Sequence, residues 1–186
     1  MMNVSNYTLL DIEELVNRHS EIVKFGTINN SVDAIWVRRA EEKLGLKFSL
    51  SYKDFLRNFV DGEIGGEEIY SIYGMNFEYV FGGDIVYQNL MNVKNGIAKP
   101  LQLVVSETDF GEIYYFDYSK YQDGECPIYL KLPSGESKPY ASEFYEFLCK
   151  RISAHFVCNK PRSFPVRNKQ ACNSIQTCFI HSLNND

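Results

Sequence analysis

Residues 36–66, WVRRAEEKLGLKFSLSYKDFLRNFVDGEIGG, carry the spacing that decides the fold. Tyr52, Phe55, Leu56, Phe59 and Val60 fall at i, i+3, i+4, i+7 and i+8, which is one stripe of an α-helix. The pattern predicts a helix that opens on a Ser51 cap, uses Asp54 as its N3 partner and ends at Gly62. Upstream, Val32, Ile35, Trp36, Ala40 and Leu44 mark a second stripe. Ser31 is its expected cap, Asp33 lies in the positive first turn, and Gly45 is placed to close it in a left-handed conformation. Two amphipathic helices joined by a short break therefore run into an acidic, glycine-rich loop, Asp61-Gly-Glu-Ile-Gly-Gly66.

Outward from this pair the elements change type. Toward the N-terminus, Thr8 with Asp11 three residues on forms a short-chain capping box ahead of Leu9, Ile12, Leu15 and Val16. Downstream, Glu68–Tyr73 alternates as a strand does. A helix is expected from an Asp84 cap to about Lys94, with Val86, Leu90 and Val93 inward and Asn95-Gly96 as its stop. Leu101–Val105 and Glu112–Asp117 read as a hairpin around Thr108–Gly111. Pro127–Leu132 reads as a further strand after the Gln122-Asp-Gly124 turn, with proline tolerable at its first position. A closing helix starts at Ser142, with Phe144, Phe147, Leu148 and Ile152 inward. Leading helices, clustered strands and a closing helix give an α+β class, with N-terminal helices and a C-terminal helix packed on a largely antiparallel sheet. From about Ala154 acid nearly vanishes and periodicity stops, so residues 1–153 are expected to form the domain and 154–186 an irregular, weakly basic tail. A short structured piece is expected near 175–180.

The chain has 186 residues, 45% of them hydrophobic, with 13 Phe, 13 Tyr and 1 Trp, enough for one sizeable core. Its charge is uneven. Residues 1–152 hold 15 Lys/Arg against 23 Asp/Glu, a net of −8, while residues 153–186 hold 4 Lys/Arg and 1 Asp, a net of +3. An acidic body repels a phosphate backbone and attracts a basic partner, so nucleic acid is not an expected ligand. No apolar run approaches the roughly 18 residues of a membrane span. The N-terminus lacks the basic and apolar regions of a signal peptide, and 5 cysteines without paired spacing make no disulfide framework. A cytoplasmic, reduced protein is expected.

Catalytic constellations are weak. His19, at a helix end, His155, at the close of the last helix, and His181 read as capping or surface histidines rather than bases for a nucleophile. Cys126 has acidic neighbours that raise a thiol pKa, so it reads as a small packed residue. Cys158, Cys172, Cys178 and His181 lack the close cysteine pair of a structural zinc site, and Asp61–Gly66 lacks the alternating oxygens of a calcium loop. The paired glycines match no phosphate loop. Acid–base catalysis by a loop carboxylate would require one to be buried in a cleft. No catalytic residue, metal or cofactor is expected. The aromatic run through Tyr70, Tyr73, Phe77, Tyr79 and Phe81, with Tyr114, Tyr115, Phe116, Tyr118 and Tyr121, exceeds what one sheet face can bury. Some tyrosines are therefore expected on the surface beside the acids, a composition suited to protein recognition; the other reading packs them under the helices or on each other.

The segments Ala40-Glu-Glu-Lys-Leu-Gly45, Ser51-Tyr-Lys-Asp-Phe-Leu56 and Asp61-Gly…Gly65-Gly66 resemble the SUKH superfamily, which includes bacterial immunity proteins and yeast cell-wall-assembly regulators. Asp123-Gly-Glu-Cys-Pro127 and the aromatic closing helix are similar to its YobK-like subgroup. The resemblance covers roughly residues 8–153. The family's proline before the third helix is replaced by Phe48-Ser-Leu-Ser51, which supplies a serine cap in its place. The resemblance implies an immunity protein (antitoxin) that binds and neutralises a cognate intracellular toxin domain, often a nuclease, without catalysis or cofactor. Its alternative is a non-catalytic regulatory or scaffold module. The family transfers no contact residues. From charge alone, the expected partner-binding residues are Asp61, Glu63, Glu67, Glu68, Asp109 and Glu112.

Overall fold

In the computed structural model, which describes residues 7–27 and 32–158, helix α1 spans Leu9–Arg18. Its expected capping box is present: Asp11 N–H donates to Thr8 Oγ1, and Thr8 N–H donates to Asp11 Oδ2 at 2.7 Å. Ile12 is its buried anchor, and His19 caps the C-terminus with its ring 4.4 Å from Phe156. The chain continues through β1 (Val23–Phe25), α2 (Ala34–Leu44), α3 (Leu50–Asn58), β2 (Gly62–Ile64), β3 (Glu67–Ile69) and α4 (Ile85–Lys94). It ends with β4 (Gln102–Glu107), β5 (Ile113–Asp117), β6 (Ile128–Lys131), β7 (Ser137–Ala141) and α5 (Phe144–Cys158). The α+β class holds, with two antiparallel sheets ordered β1-β2-β3 and β4-β5-β6-β7. They meet where Tyr70 N–H, just past β3, donates to Val105 O at 2.8 Å. Val105 sits at a register shift in β4, so its carbonyl can turn outward to the neighbouring sheet.

Several ends differ from the sequence expectation, each for a local reason. Helix α2 starts at Ala34 because the Asp33 carboxylate itself caps it, accepting from Ile35 N–H at 2.8 Å; Ser31 lies outside the described residues. Its Ile35 is exposed rather than part of the inward stripe. Gly45 closes α2 as expected, at φ 68°. Helix α3 is capped by Ser49 rather than Ser51. Ser51 is drawn into a tertiary contact: its N–H and Oγ donate to the two oxygens of Glu125 at 2.9 and 2.7 Å, and its Oγ accepts from Phe144 N–H at 3.3 Å. That helix stops at Asn58, and Gly62 begins β2, where a Cβ would fall 2.3 Å from Lys24 O. Strand β3 ends at Ile69, and only Ser71 bridges onward, to Asp84. Helix α5 opens on Glu143, whose carboxylate accepts from Tyr145 and Glu146 N–H at 2.8 and 2.9 Å, while Ser142 donates to Glu146. It continues to Cys158, past the change in composition at Ala154; Cys172, Cys178, His181 and the segment near 175–180 lie outside the described residues.

Helix α4 is rotated by about one residue from the face expected. Val86 is buried, but Leu90 and Val93 are exposed, and Asn89 and Asn92 point inward. The cause is the edge of β4. Asn89 offers Nδ2 to Val104 O at 2.8 Å and accepts Val104 N–H at 2.6 Å, so its amide serves the strand as a neighbouring strand would. Asn92 donates to Glu107 at 3.0 Å.

The core is an aromatic stack between α3, α5 and the larger sheet. Tyr52, Phe55, Phe116, Phe144 and Phe147 are all fully buried, with Phe144 at 5.0 Å from Tyr52 and 5.2 Å from Phe55. The Tyr52 hydroxyl is satisfied by Tyr70 O at 2.7 Å. Cys126 is fully buried, as expected, and burial first, then Asp117 and Glu125, push its thiol up to about 12.

One buried charge fixes the α2–α3 joint. Glu41 receives Phe48 N–H at 3.0 Å, Lys47 at 3.0 Å and Lys53 at 2.7 Å. Burial alone would raise its carboxyl, yet the hydrogen bonds from Lys53, Lys47 and Phe48 outweigh that and hold it below its ordinary 4.5. A depressed carboxyl contributes stability that is complete above its unfolded value and lost as pH falls through its folded value. Glu41→Gln is therefore expected to cost about 1–3 kcal/mol at neutral pH. In urea titrations the gap to wild type should close below pH 4.5. An equal gap at every pH would show that the charge of Glu41 is not what holds the joint.

Candidate functional site

The expected partner-binding acids occupy two neighbourhoods and one turn. In the smaller sheet, Lys24, Glu63 and Glu68 face one another across β1, β2 and β3 in register. Lys24 pairs with Glu63 at 2.6 Å, which leaves Glu68 at the far end of the row. Glu68 accepts the Tyr73 hydroxyl at 2.6 Å, and that hydroxyl accepts Gly83 N–H at 3.0 Å. A Cβ at Gly83 would fall 1.9 Å from Glu68 Oε1, so a larger residue there would have to displace the Glu68 carboxylate from its present place. Asp61 is exposed nearby: both it and Glu68 press the Tyr73 phenol above its ordinary value, although burial is the larger cause.

Glu67 faces a different set. Its carboxylate is paired with Arg151 of α5 and lies 3.4 Å from His155 Nε2. Arg151 also donates to the Tyr114 hydroxyl at 2.8 Å, and Tyr114 lies within electrostatic reach of both Glu67 and Glu112. The β2–β3 turn fits under this cluster through Gly65, where a Cβ would fall 2.3 Å from His155 Nδ1. Asp109 stands at the exposed tip of the β4–β5 turn beside Phe110, which is 86% exposed. His155 thus sits between Glu67 and Arg151, its Nε2 3.1 Å from the Arg151 guanidinium. Among the described residues no group of three or more His, Cys, Asp and Glu side chains is arranged to hold a metal.

Sequence reasoning located the acids but not the surface that joins them to the aromatics. Residues 72–83 form a loop clamped at its neck. Ser71 N–H donates to Gly83 O at 3.0 Å, Ile85 N–H donates to Ser71 O at 2.6 Å, and the fully buried Asp84 accepts Tyr73 N–H at 3.1 Å. The loop exposes Met75, Tyr79 and Phe81, the last at 72%, and lays Phe77 edge-on against Trp36 at 5.7 Å. Trp36 was expected in the core stripe of α2 but is only half-buried. The available signal was the apolar residue at every second position from Tyr73 to Phe81, an alternation that no sheet absorbs. By contrast Tyr114, Tyr115 and Phe116 are all buried, on both faces of β5. The exposed tyrosines among those expected are therefore Tyr73 and Tyr79 of the loop, and Tyr121 beyond β5.

The arrangement offers hydrogen-bond acceptors, negative charge and rigidly held aromatic surface, the ingredients of a protein-recognition face. No helix of the described residues is long and apolar enough to cross a membrane. A family model described as SUKH_6, SMI1-KNR4 cell-wall, matches residues 34–148. No curated protein matches the chain.

Proposed function

The chain belongs to the SMI1-KNR4 cell-wall family, SUKH_6, within the SUKH superfamily, and from that premise we propose that it is a cytoplasmic immunity protein. It would act without catalysis or cofactor, by binding a cognate intracellular toxin domain, basic and nuclease-like, and blocking it. The observation that carries this reading is the contiguity of exposed Asp61 and Glu68 with the pinned Tyr73 at the foot of an aromatic loop, on a body of net charge −8. Glu63 and Glu112 add charge at the flanks, Asp109 at the β4–β5 tip, and Glu67 through whatever field its pair with Arg151 leaves uncompensated. Complementary charge speeds encounter, and desolvated aromatics then hold the complex.

The reading predicts a toxin gene beside this one, and co-expression of the two should yield a co-purifying pair. Its association rate should fall about tenfold or more between about 0.05 and 0.5 M salt. Neutralising Asp61, Glu63 and Glu68 together should lower that rate and flatten its salt dependence. A rate indifferent to salt would remove the acidic surface from the account. The family's association with the cell wall supports a second reading, a regulatory scaffold; it predicts a partner without toxicity in a cell lacking this protein.

A further inference from the structure

Trp36 stands between two grooves of opposite character. On one side it shares a groove with Arg39, Glu42 and Lys43, and the Arg39 guanidinium already lies 4.9 Å from the indole centroid. On the other side the lining holds two carboxylates, Asp33 and Asp61, with Trp36 and Tyr73 as aromatic walls, and among the described residues no Lys, Arg or His. The same indole that accepts a cation of its own chain on the first side thus borders an acidic slot that no cation among the described residues lines.

The slot is built rather than loose. Asp33 is fixed at the start of α2, where one of its oxygens accepts Ile35 N–H at 2.8 Å. Asp61 is held by its backbone, which donates to Phe59 O at 2.7 Å and accepts Gly26 N–H at 2.9 Å, while its carboxylate makes no hydrogen bond or ion pair among the described residues. Immediately before it, Val60 sits at φ 66°, a left-handed conformation that a β-branched residue adopts only under constraint. Ser71 Oγ donates to Val60 O and supplies that constraint. The Tyr73 ring is pinned by both bonds of its hydroxyl. Gly74, at φ 65°, lets the loop pass the indole edge, where a Cβ would come to 3.7 Å of Trp36.

We propose that this slot receives an arginine side chain of the bound protein partner. Two carboxylates suit the forked donors of a guanidinium, and aromatic walls suit its flat, weakly hydrated face better than the compact ammonium of lysine. The assignment rests on the binding function proposed above and names the chemistry of the partner at one point of contact.

Trp36 is the only tryptophan, so its emission reports the slot directly. The full chain would be titrated at low salt with acetylated, amidated Gly-Arg-Gly, Gly-Lys-Gly and Gly-citrulline-Gly, following Trp36 fluorescence and its indole N–H resonance. A saturable response to the arginine peptide is expected, about threefold weaker with lysine and about tenfold weaker with neutral citrulline. Asp61→Asn should weaken the arginine response about tenfold while leaving the thermal midpoint within about 2 °C. No saturable arginine response, or an equal one with citrulline, overturns the proposal; an equal one with lysine overturns the guanidinium assignment. Partner binding is measured separately on wild type, Trp36→Ala and Asp61→Asn. A partner bound equally by all three, with the peptides silent, overturns the slot and leaves the binding function standing. A slot that answers arginine in a chain that captures no partner overturns the binding function alone.

Discussion

Truncating Phe144 to alanine is expected to cost about 3–5 kcal/mol of unfolding free energy, the range for deleting a buried aromatic ring that its surroundings cannot refill. Phe144 is fully buried, and its ring meets Tyr52, Phe55, Phe116 and Phe147 at centroid distances of 5.0, 5.2, 5.8 and 5.6 Å. These four come from α3, β5 and α5, so collapse around the void would have to move two helices and a sheet together. The loss is a large fraction of the roughly 5–15 kcal/mol that stabilises an ordinary domain. Urea unfolding should show a lower midpoint at unchanged slope. Phe81→Ala, removing a ring that is 72% exposed, is the control and should change stability by less than about 0.5 kcal/mol. A Phe144→Ala loss below about 1 kcal/mol would mean that the stack is not the centre of the core.

That stack was readable from spacing because a helical period survives whatever the helix packs against. Tyr52 and Phe55 in α3, Phe59 at its C-cap, and Phe144, Phe147 and Leu148 in α5 are buried as their intervals require. What spacing could not carry was competition for hydrogen bonds. Spacing put the cap of α3 at Ser51, but Glu125, more than seventy positions away in the chain, engages Ser51, and Ser49 caps instead. The same cause rotated α4: the edge of β4 takes an amide at Val104, Asn89 provides it, and Leu90 and Val93 are turned out while Val86 stays in. Strands β1 and β2, three residues each, are too short for alternation to register, and Pro139 disguises β7. At the candidate site the acids were visible as charge. The slot was not, because it exists only once the loop from 72 to 83 folds back on α2.

Glu67 and Arg151 should behave as a unit when cut apart. Their side chains are only 18% and 11% exposed, and Arg151 also binds Tyr114, so the pair ties the β2–β3 turn to α5 and to the larger sheet. Replacing Arg151 with methionine fills part of the volume but leaves a mostly buried carboxylate whose remaining close partner is the His155 imidazole at 3.4 Å. Breaking one side of such a pair costs about 3 kcal/mol or more, because the stranded charge keeps its desolvation cost without its compensation. Glu67→Gln should cost less, since Arg151 retains the Tyr114 hydroxyl at 2.8 Å and its place 4.7 Å over that ring. The double variant removes both charges and should recover about 1–3 kcal/mol relative to the sum of the singles, the signature of direct coupling. Strictly additive losses would show that each residue acts on its own. The double variant also separates structure from recognition at Glu67. Once its fold is verified, any remaining fall in association rate with the partner measures how much of the Glu67 charge was felt outside the molecule. An unchanged rate would confine Glu67 to holding the turn and leave the encounter to Asp61, Glu63, Glu68, Asp109 and Glu112.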